Sequence, residues 1–401
     1  MSAAPLTVCM FDNERVRGGA EEHMLCLLRG LDRRSFRPLL VCPVELLALL
    51  RPELPDDVGV LPLALYSHHQ FGLMWELSSF LRRERVQVLH SHGFRPSLLA
   101  SPVGRWAGVP VNVETPHVRE YWRRGWKANY TVDRVASRVV DRYIAVSEAN
   151  KRYLVDEKKL PANKVTVIRN GCDIARFAAA PVVDAGLKTR AGFAESDPVL
   201  VVAARLEPQK GHSVLLRAMA ALKAEFPALR LVFLGDGSLR EQLQNEAREL
   251  GLAHSVFMPG HSPDVRQWMS LADICVLPSF AEGLPLFAIE CLAMQRPMVA
   301  TAVDGTPEIV VDGETGLTVP PGGVAALAVA IASLLRDPAH AARLAANGAR
   351  WVRERFTLER QLRETEDLYN ELWCKKTCKA LPLRTELHED AQPSSELSLR
   401  R

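Results

Sequence analysis

Short runs of aliphatic and β-branched residues alternate with longer helical patterns along this chain, in two successive series separated by a break. Runs that are apolar throughout, rather than apolar at every second position, belong to strands covered on both faces, as in parallel sheets flanked by helices. The first series of strands is expected at 6–11, 38–42, 58–62, 86–89, 111–114, 143–146 and 165–168. The second is expected at 199–203, 229–234, 256–258, 274–277, 298–300 and 317–319. Between Phe177 and Gly192 the sequence loses its period and gathers turn formers, which puts a domain boundary there. The fold class is therefore α/β, with two Rossmann-like doubly wound units in one chain.

Length and composition agree with two cores. The chain has 401 residues, 48% of them hydrophobic and 24% charged, and a single core rarely grows past roughly 250–300 residues. A formal net charge of +3 leaves no dense basic surface to displace counterions from phosphates, so nucleic acid is not an expected partner. The start, Met1 to Pro5 followed directly by a strand, shows no leader pattern. No apolar run approaches the roughly 20 residues needed to span a bilayer as a helix, and the expected location is the cytoplasm. Five of the eight cysteines, Cys9, Cys26, Cys42, Cys275 and Cys291, lie in apolar runs and read as small core residues. Cys374 and Cys378 share a helix face without a second pair at zinc spacing, and no metal site is expected.

The most informative stretch is Ser279 to Glu290, which follows the strand at 274–277. A strand delivers a loop and the loop opens a helix. Gly283 lets backbone approach a ligand, Pro285 suits a first helical turn, and the amides there would face a diphosphate. Glu282 precedes the helix and Glu290 lies more than one turn inside it, so the two carboxylates reach different depths along one ligand, sugar and ribose. Two solvated glutamates flanking an amphipathic helix would give the same spacing. A second site follows the strand at 199–203, where Arg205 and Lys210 bracket a loop at the carboxyl end of a parallel strand. They can clamp a diphosphate and stabilise its growing charge as it leaves; the plainer reading is a pair of surface cations beside a helix start.

The first half offers Gly18 and Gly19 between its first strand and first helix, which suit close approach of a phosphate or sugar, or simply a tight turn. Three strand ends carry polar residues: His90 to Gly93, Thr115 to His117, and Ser147 with Glu148. A histidine so placed can bond a sugar hydroxyl or departing phosphate, or merely pack in its loop. The run Arg169 to Phe177 reads as a turn that ends the first domain.

Together these segments resemble the family 4 glycosyltransferases, also called glycosyl transferases group 1, which have the GT-B fold. The marks are Glu282 to Glu290, Arg205 to Gly211, the Leu234-Gly235-Asp236-Gly237 turn, Asn170 to Asp173 with Phe177, and Ala145 to Glu148. The resemblance implies an N-terminal acceptor domain over 1–182, a nucleotide-sugar donor domain over 183–356, and a helix over 357–378 crossing back to the first domain. The polar tail, 379–401, is expected to be disordered. It further implies that Arg205 and Lys210 hold the donor diphosphate, Glu290 the ribose and Glu282 the transferred sugar. Backbone amides of Gly283, Leu284, Pro285 and Leu286 are taken to assist as a loop, and His117 approaches the donor sugar. The implied enzyme is a retaining hexosyltransferase that needs no metal and no cofactor beyond its nucleotide-diphosphate sugar. Its acceptor would be a glycan, lipid-linked or small molecule in polysaccharide or glycolipid synthesis.

Two departures from the family pattern stand out, Ala204 in place of a usual glycine and Cys172 in place of an aliphatic residue. One acceptor-side segment, 119–130, interleaves cations with large aromatics, and could rest on an anionic membrane surface at the inner face of the cytoplasmic membrane. A helix that buries its aromatics and solvates its arginines has the same sequence. A nucleotide-sugar epimerase, or a non-catalytic partner subunit, would share the fold.

Overall fold

The computed structural model of the protein describes residues 4–67, 69–119, 129–179, 186–262 and 264–377. Among the described residues thirteen strands form, each within a few residues of an apolar run that predicts it. The first sheet contains β1 (Leu6–Phe11), β2 (Phe36–Cys42), β3 (Gly59–Pro62), β4 (Val88–His92), β5 (Val111–Thr115), β6 (Arg142–Ala145) and β7 (Val165–Val167). The second contains β8 (Val199–Ala203), β9 (Arg230–Leu234), β10 (Val256–Gly260), β11 (Ile274–Leu277), β12 (Met298–Thr301) and β13 (Leu317–Val319). Their orders are β3-β2-β1-β4-β5-β6-β7 and β10-β9-β8-β11-β12-β13, with parallel pairs throughout.

In both sheets the order reverses beside the first strand, between β1 and β4 and between β8 and β11. Helices from neighbouring strands leave to opposite faces at such a point, which opens a crevice beyond the strands' carboxyl ends. The loops after β1, β4, β8 and β11 are therefore the ones topology offers to a ligand. They contain Gly18 and Gly19, the approach to His92, Arg205 with Lys210, and Glu282 to Leu286.

Two boundaries differ from the sequence expectation in ways that affect the site. Strand β4 starts at Val88 and runs on through His92, so His90 and His92 are strand residues on one face, not loop residues. Val86 instead follows the turn that closes the helix Phe71–Arg83, its amide donating to Leu81 O at 2.9 Å. The run Arg169 to Phe177 does not simply close the first domain. Cys172 and Phe177 pack into the core under the second sheet, with Leu187, Phe193 and Val201. The segment 180–185, which holds the expected division between 182 and 183, lies outside the described residues, as do 378–401 with Cys378 and the tail.

The last helix, Leu358–Thr377, buries Gln361, Thr365, Leu368, Tyr369 and Leu372. That spacing of three and four puts them on one stripe. Leu368, Tyr369 and Leu372 join the core of the first sheet, with Met24, Leu28 and Ile144. The chain thus crosses between cores twice, and the two crossings touch. Cys172 N donates to Phe356 O at 2.9 Å, and Leu358 N to Cys172 O at 3.0 Å. A side chain at Gly171 would meet Thr357 O at 2.2 Å, so this contact requires glycine.

Candidate active site

After β11, the loop turns inward instead of into solvent. Glu282 is buried, and its carboxylate accepts from Lys210 Nζ at 2.7 Å and from Ser279 Oγ at 2.7 Å. Its amide donates to Asp304 Oδ2 at 3.0 Å, and Thr301 Oγ1 donates to Ser279 O at 2.5 Å. A solvated glutamate is thereby excluded at this position. A buried carboxylate without a partner would cost several kcal/mol, of the order of 3–5; here a cation and a hydroxyl share one oxygen. The loop after β8 supplies that cation because Phe280 N donates to Gln209 O at 2.7 Å, which ties the two loops together.

Gly283 is used differently from the sequence expectation. A Cβ built on it would lie 1.7 Å from His117 O, so the close approach it permits is that of the first domain's backbone rather than a ligand's. Ser147 Oγ donates to Gly283 O at 3.1 Å, and Asn170 Nδ2 to Leu284 O at 2.8 Å. Gly305 is pressed on the same carbonyl, at 2.1 Å from its Cβ position. The loop that opens the helix is thus clasped by three segments ending β5, β6 and β7. Pro285 caps the helix Leu286–Ala293, its φ of −70° being natural to proline. Its carbonyl accepts from Ala288 and Ile289. The amides of Leu286 and Phe287 come too early for an intrahelical acceptor and remain as donors at the positive end of the helix.

Glu290 lies in the second turn of that helix and is half-buried. Burial and the nearby Glu22 lift its pKa to about 7, against the pull of Arg176. This carboxyl is not an ordinary solvated one either. Glu22 belongs to the helix Gly19–Gly30 of the first domain, so Glu290 faces across the domain boundary.

Arg205 also reaches across. Its Nε lies 3.3 Å from the position a Cβ would take on Gly18, beside Glu21, whose carboxylate accepts from Gly18 N at 2.7 Å. Burial lifts Glu21 to about 7 while the Arg205 guanidinium opposes the shift. Asp12, just beyond β1, is held well above the ordinary carboxylate range by burial and by Glu21. At Gly19 a Cβ would meet no heavy atom within 4 Å, so the space before this helix is open.

His117 stands two residues past β5, its ring 5.4 Å from and stacked on that of His92. The two share a contact, His92 Nδ1 to His117 Nε2, of 3.1 Å. Burial holds both well below the usual histidine range, so both rings are neutral at pH 7. The structure therefore brings Lys210 to Glu282, Gly283 to His117, Arg205 to Gly18 and Glu290 to Glu22, all along the meeting of the two domains. Of the segment 119–130, positions 120–128 lie outside the described residues; Arg119 pairs with Glu157.

Sequence reasoning missed Asp12, His23, Ser279 and Asp304. Asp12 had a usable signal as the first polar residue after a buried strand. Ser279 lay inside the stretch already singled out, three residues from Glu282, and only its role was missed; Asp304 and His23 depend on contacts at sequence separations of 22 and 147 that no local pattern carries.

Two doubly wound sheets whose switch points open toward one interdomain boundary define the GT-B class. The description of glycosyl transferases group 1 matches residues 187–351, and that of glycosyltransferase family 4 matches 17–176. The putative glycosyltransferase EpsD of Bacillus subtilis is 32% identical over 306 residues, covering 74% of this chain and 79% of EpsD. A GDP-mannose-dependent phosphatidylinositol monomannoside mannosyltransferase of Mycolicibacterium smegmatis is 32% identical over 64% of this chain and 69% of its own. In fold, the chain is similar to Anabaena HepE, solved with UDP and glucose, at a TM-score of 0.80 and 21% identity, covering 90% of this chain and 99% of that one. The chain belongs to the family 4, group 1 glycosyltransferases, and its class of activity is glycosyl transfer.

Proposed function

We propose that the protein is a retaining, metal-independent hexosyltransferase that uses a nucleotide-diphosphate sugar as donor. The observation that carries this reading is the pairing of buried Glu282 with Lys210 beside a helix start whose first amides are free to donate. In this reading Arg205, Lys210 and the amides of Leu286 and Phe287 take the diphosphate and stabilise its charge on departure. Glu290 takes the ribose hydroxyls. Glu282 and His117 contact the sugar, and Gly18 and Gly19 bound the phosphate from the first domain. Cations in place of a divalent metal are consistent with a donor whose leaving group is a nucleoside diphosphate. HepE solved with UDP and glucose, and the GDP-mannose-dependent relative, support a nucleotide-sugar donor.

The acceptor in this proposal is a glycan, a lipid-linked precursor or a small molecule of cell-surface polysaccharide or glycolipid synthesis, reached from the cytoplasmic face of the membrane. Among the described residues no single helix is long and apolar enough to cross a membrane, and the segment 119–130 is proposed as the peripheral contact. Equal recovery in the supernatant with and without anionic liposomes would end that part of the reading. The donor is tested by thermal shift with UDP-, GDP- and ADP-sugars. One base should raise Tm, because a ligand that binds only the native state stabilises it. No shift with any of the three, together with no transfer, overturns the reading.

A further inference from the structure

Three histidines from separate elements meet beneath the cleft: His23 on the helix Gly19–Gly30, His92 at the end of β4 and His117 after β5. One ring nitrogen from each lies within 4.8 Å of the other two. His23 and His92 are buried to 2% exposure, and the Nε2 atom of each has no hydrogen-bond partner. A buried polar atom left so normally costs about 1–3 kcal/mol, so the Nε2 of His23 asks for a ligand, while His92 faces the cluster through its other nitrogen, Nδ1. His90, ring to ring with His92 at 4.4 Å, is different. Its two nitrogens are taken by Tyr369 Oη at 2.6 Å and Thr115 Oγ1 at 2.7 Å.

The surroundings of His23 suit a metal ligand. Its Nδ1 lies 2.9 Å from Asn170 Oδ1 and 3.0 Å from Gln361 Nε2. The orientation of both amides is set elsewhere, since Asn170 Nδ2 donates to Leu284 O and Gln361 Oε1 accepts from Gly171 N. Nδ1 therefore faces one acceptor and one donor. It can hold its proton toward Asn170, which leaves the Nε2 lone pair free and the ring oriented, as outer hydrogen bonds do for metal-bound histidines. Burial keeps all three rings in the unprotonated form that binds metal. His92 and His117 already stand 3.1 Å apart at their facing nitrogens, close to the roughly 3.4 Å separating two ligands about 2.0–2.1 Å from a tetrahedral ion. His23 needs a side-chain movement of about 1–2 Å to complete that geometry. Half-buried His117 provides the opening to the cleft.

We propose that His23, His92 and His117 form a site for one zinc-type divalent ion, and that an ion held there ties up His117 and inhibits transfer. Three neutral imidazoles without a carboxylate favour zinc over magnesium or calcium, and leave a fourth position for water or a hydroxyl. The inhibitory half rests on the reading of His117 as a donor-sugar contact; the binding half does not.

The test uses the full chain, stripped with chelator and titrated with ZnCl2, with bound metal measured by equilibrium dialysis. One equivalent should bind, and His23→Gln and His92→Gln should each weaken binding at least about tenfold. Zinc-edge X-ray absorption on the wild-type protein should show nitrogen ligands near 2.0–2.1 Å rather than sulfur near 2.3 Å, and this stands even if a variant fails to fold. Sulfur ligands, or less than one equivalent bound, overturn the site. With donor and acceptor present, zinc should slow transfer and chelator restore it. Full-rate transfer at saturating zinc overturns the inhibitory half. A chain inactive with every donor would count against the functional reading and leave the dialysis and absorption results to decide the site.

Discussion

The two switch-point crevices share one topology and hold opposite chemistry. Beyond β1 and β4 the first sheet gathers groups that burial keeps or drives toward neutrality: Asp12, Glu21, His23, His90 and His92. Beyond β8 and β11 the second sheet presents Arg205 and Lys210, an ion-paired Glu282 and the start of a helix. Parallel strands and right-handed crossovers fix where a ligand can lie, and they do so equally in both halves. Which part of the ligand lies where is decided by charge. Cations and amides suit a pyrophosphate, while neutral rings suit a sugar or its acceptor.

If that division holds, the largest effect comes from the cationic side. Lys210→Ala and Arg205→Ala should each raise the barrier to transfer by roughly 2–4 kcal/mol, read as kcat/KM, and unchanged turnover in both would remove the diphosphate clamp from the second crevice. Next comes the join between the crevices. Gly283→Ala puts a methyl where His117 O now lies at 1.7 Å, and should cost about 1–3 kcal/mol in stability as overpacking does, with a matching loss of transfer. Wild-type Tm and activity would show that the domains do not meet there in solution.

A smaller effect is set by pH. Glu290 titrates at about 7, and the proposed ribose contact needs its carboxylate, so donor affinity should fall about tenfold per unit below pH 7. Calorimetry from pH 5.5 to 8 checks this, and Glu290→Gln should flatten the profile. The stability sign is opposite. The folded value is raised above the ordinary 4.5, so this group favours folding most below that value, and the benefit is lost as pH rises through about 7. The smallest effect is expected on the neutral side. Glu21→Gln fixes in neutral form a carboxyl that burial already lifts to about 7, and should change donor affinity by no more than about 1 kcal/mol. A loss as large as that of Lys210→Ala would make the first crevice part of the clamp and erase the contrast.

The inner strands were legible where cover on both faces makes them apolar along their whole length, as in Val199–Ala203 and Ile274–Leu277. The loops that follow them were legible as places because topology, not detail, selects them. The spacing of Glu282 and Glu290 in the sequence could not separate a site from two solvated carboxyls. Tertiary structure did so by burying one against Lys210 and by setting the other beside Glu22.

Sequence alone therefore determined the two-sheet architecture, the order of its elements and the loops available for chemistry, since these follow from hydrophobic period and chain direction. Only the tertiary structure decided that Gly283 serves His117, that Cys172 and Phe177 belong to the second core, and that three histidines from distant segments share one point. Such facts depend on side chains brought together across the fold, and burial then sets their protonation. No local pattern in the chain encodes either.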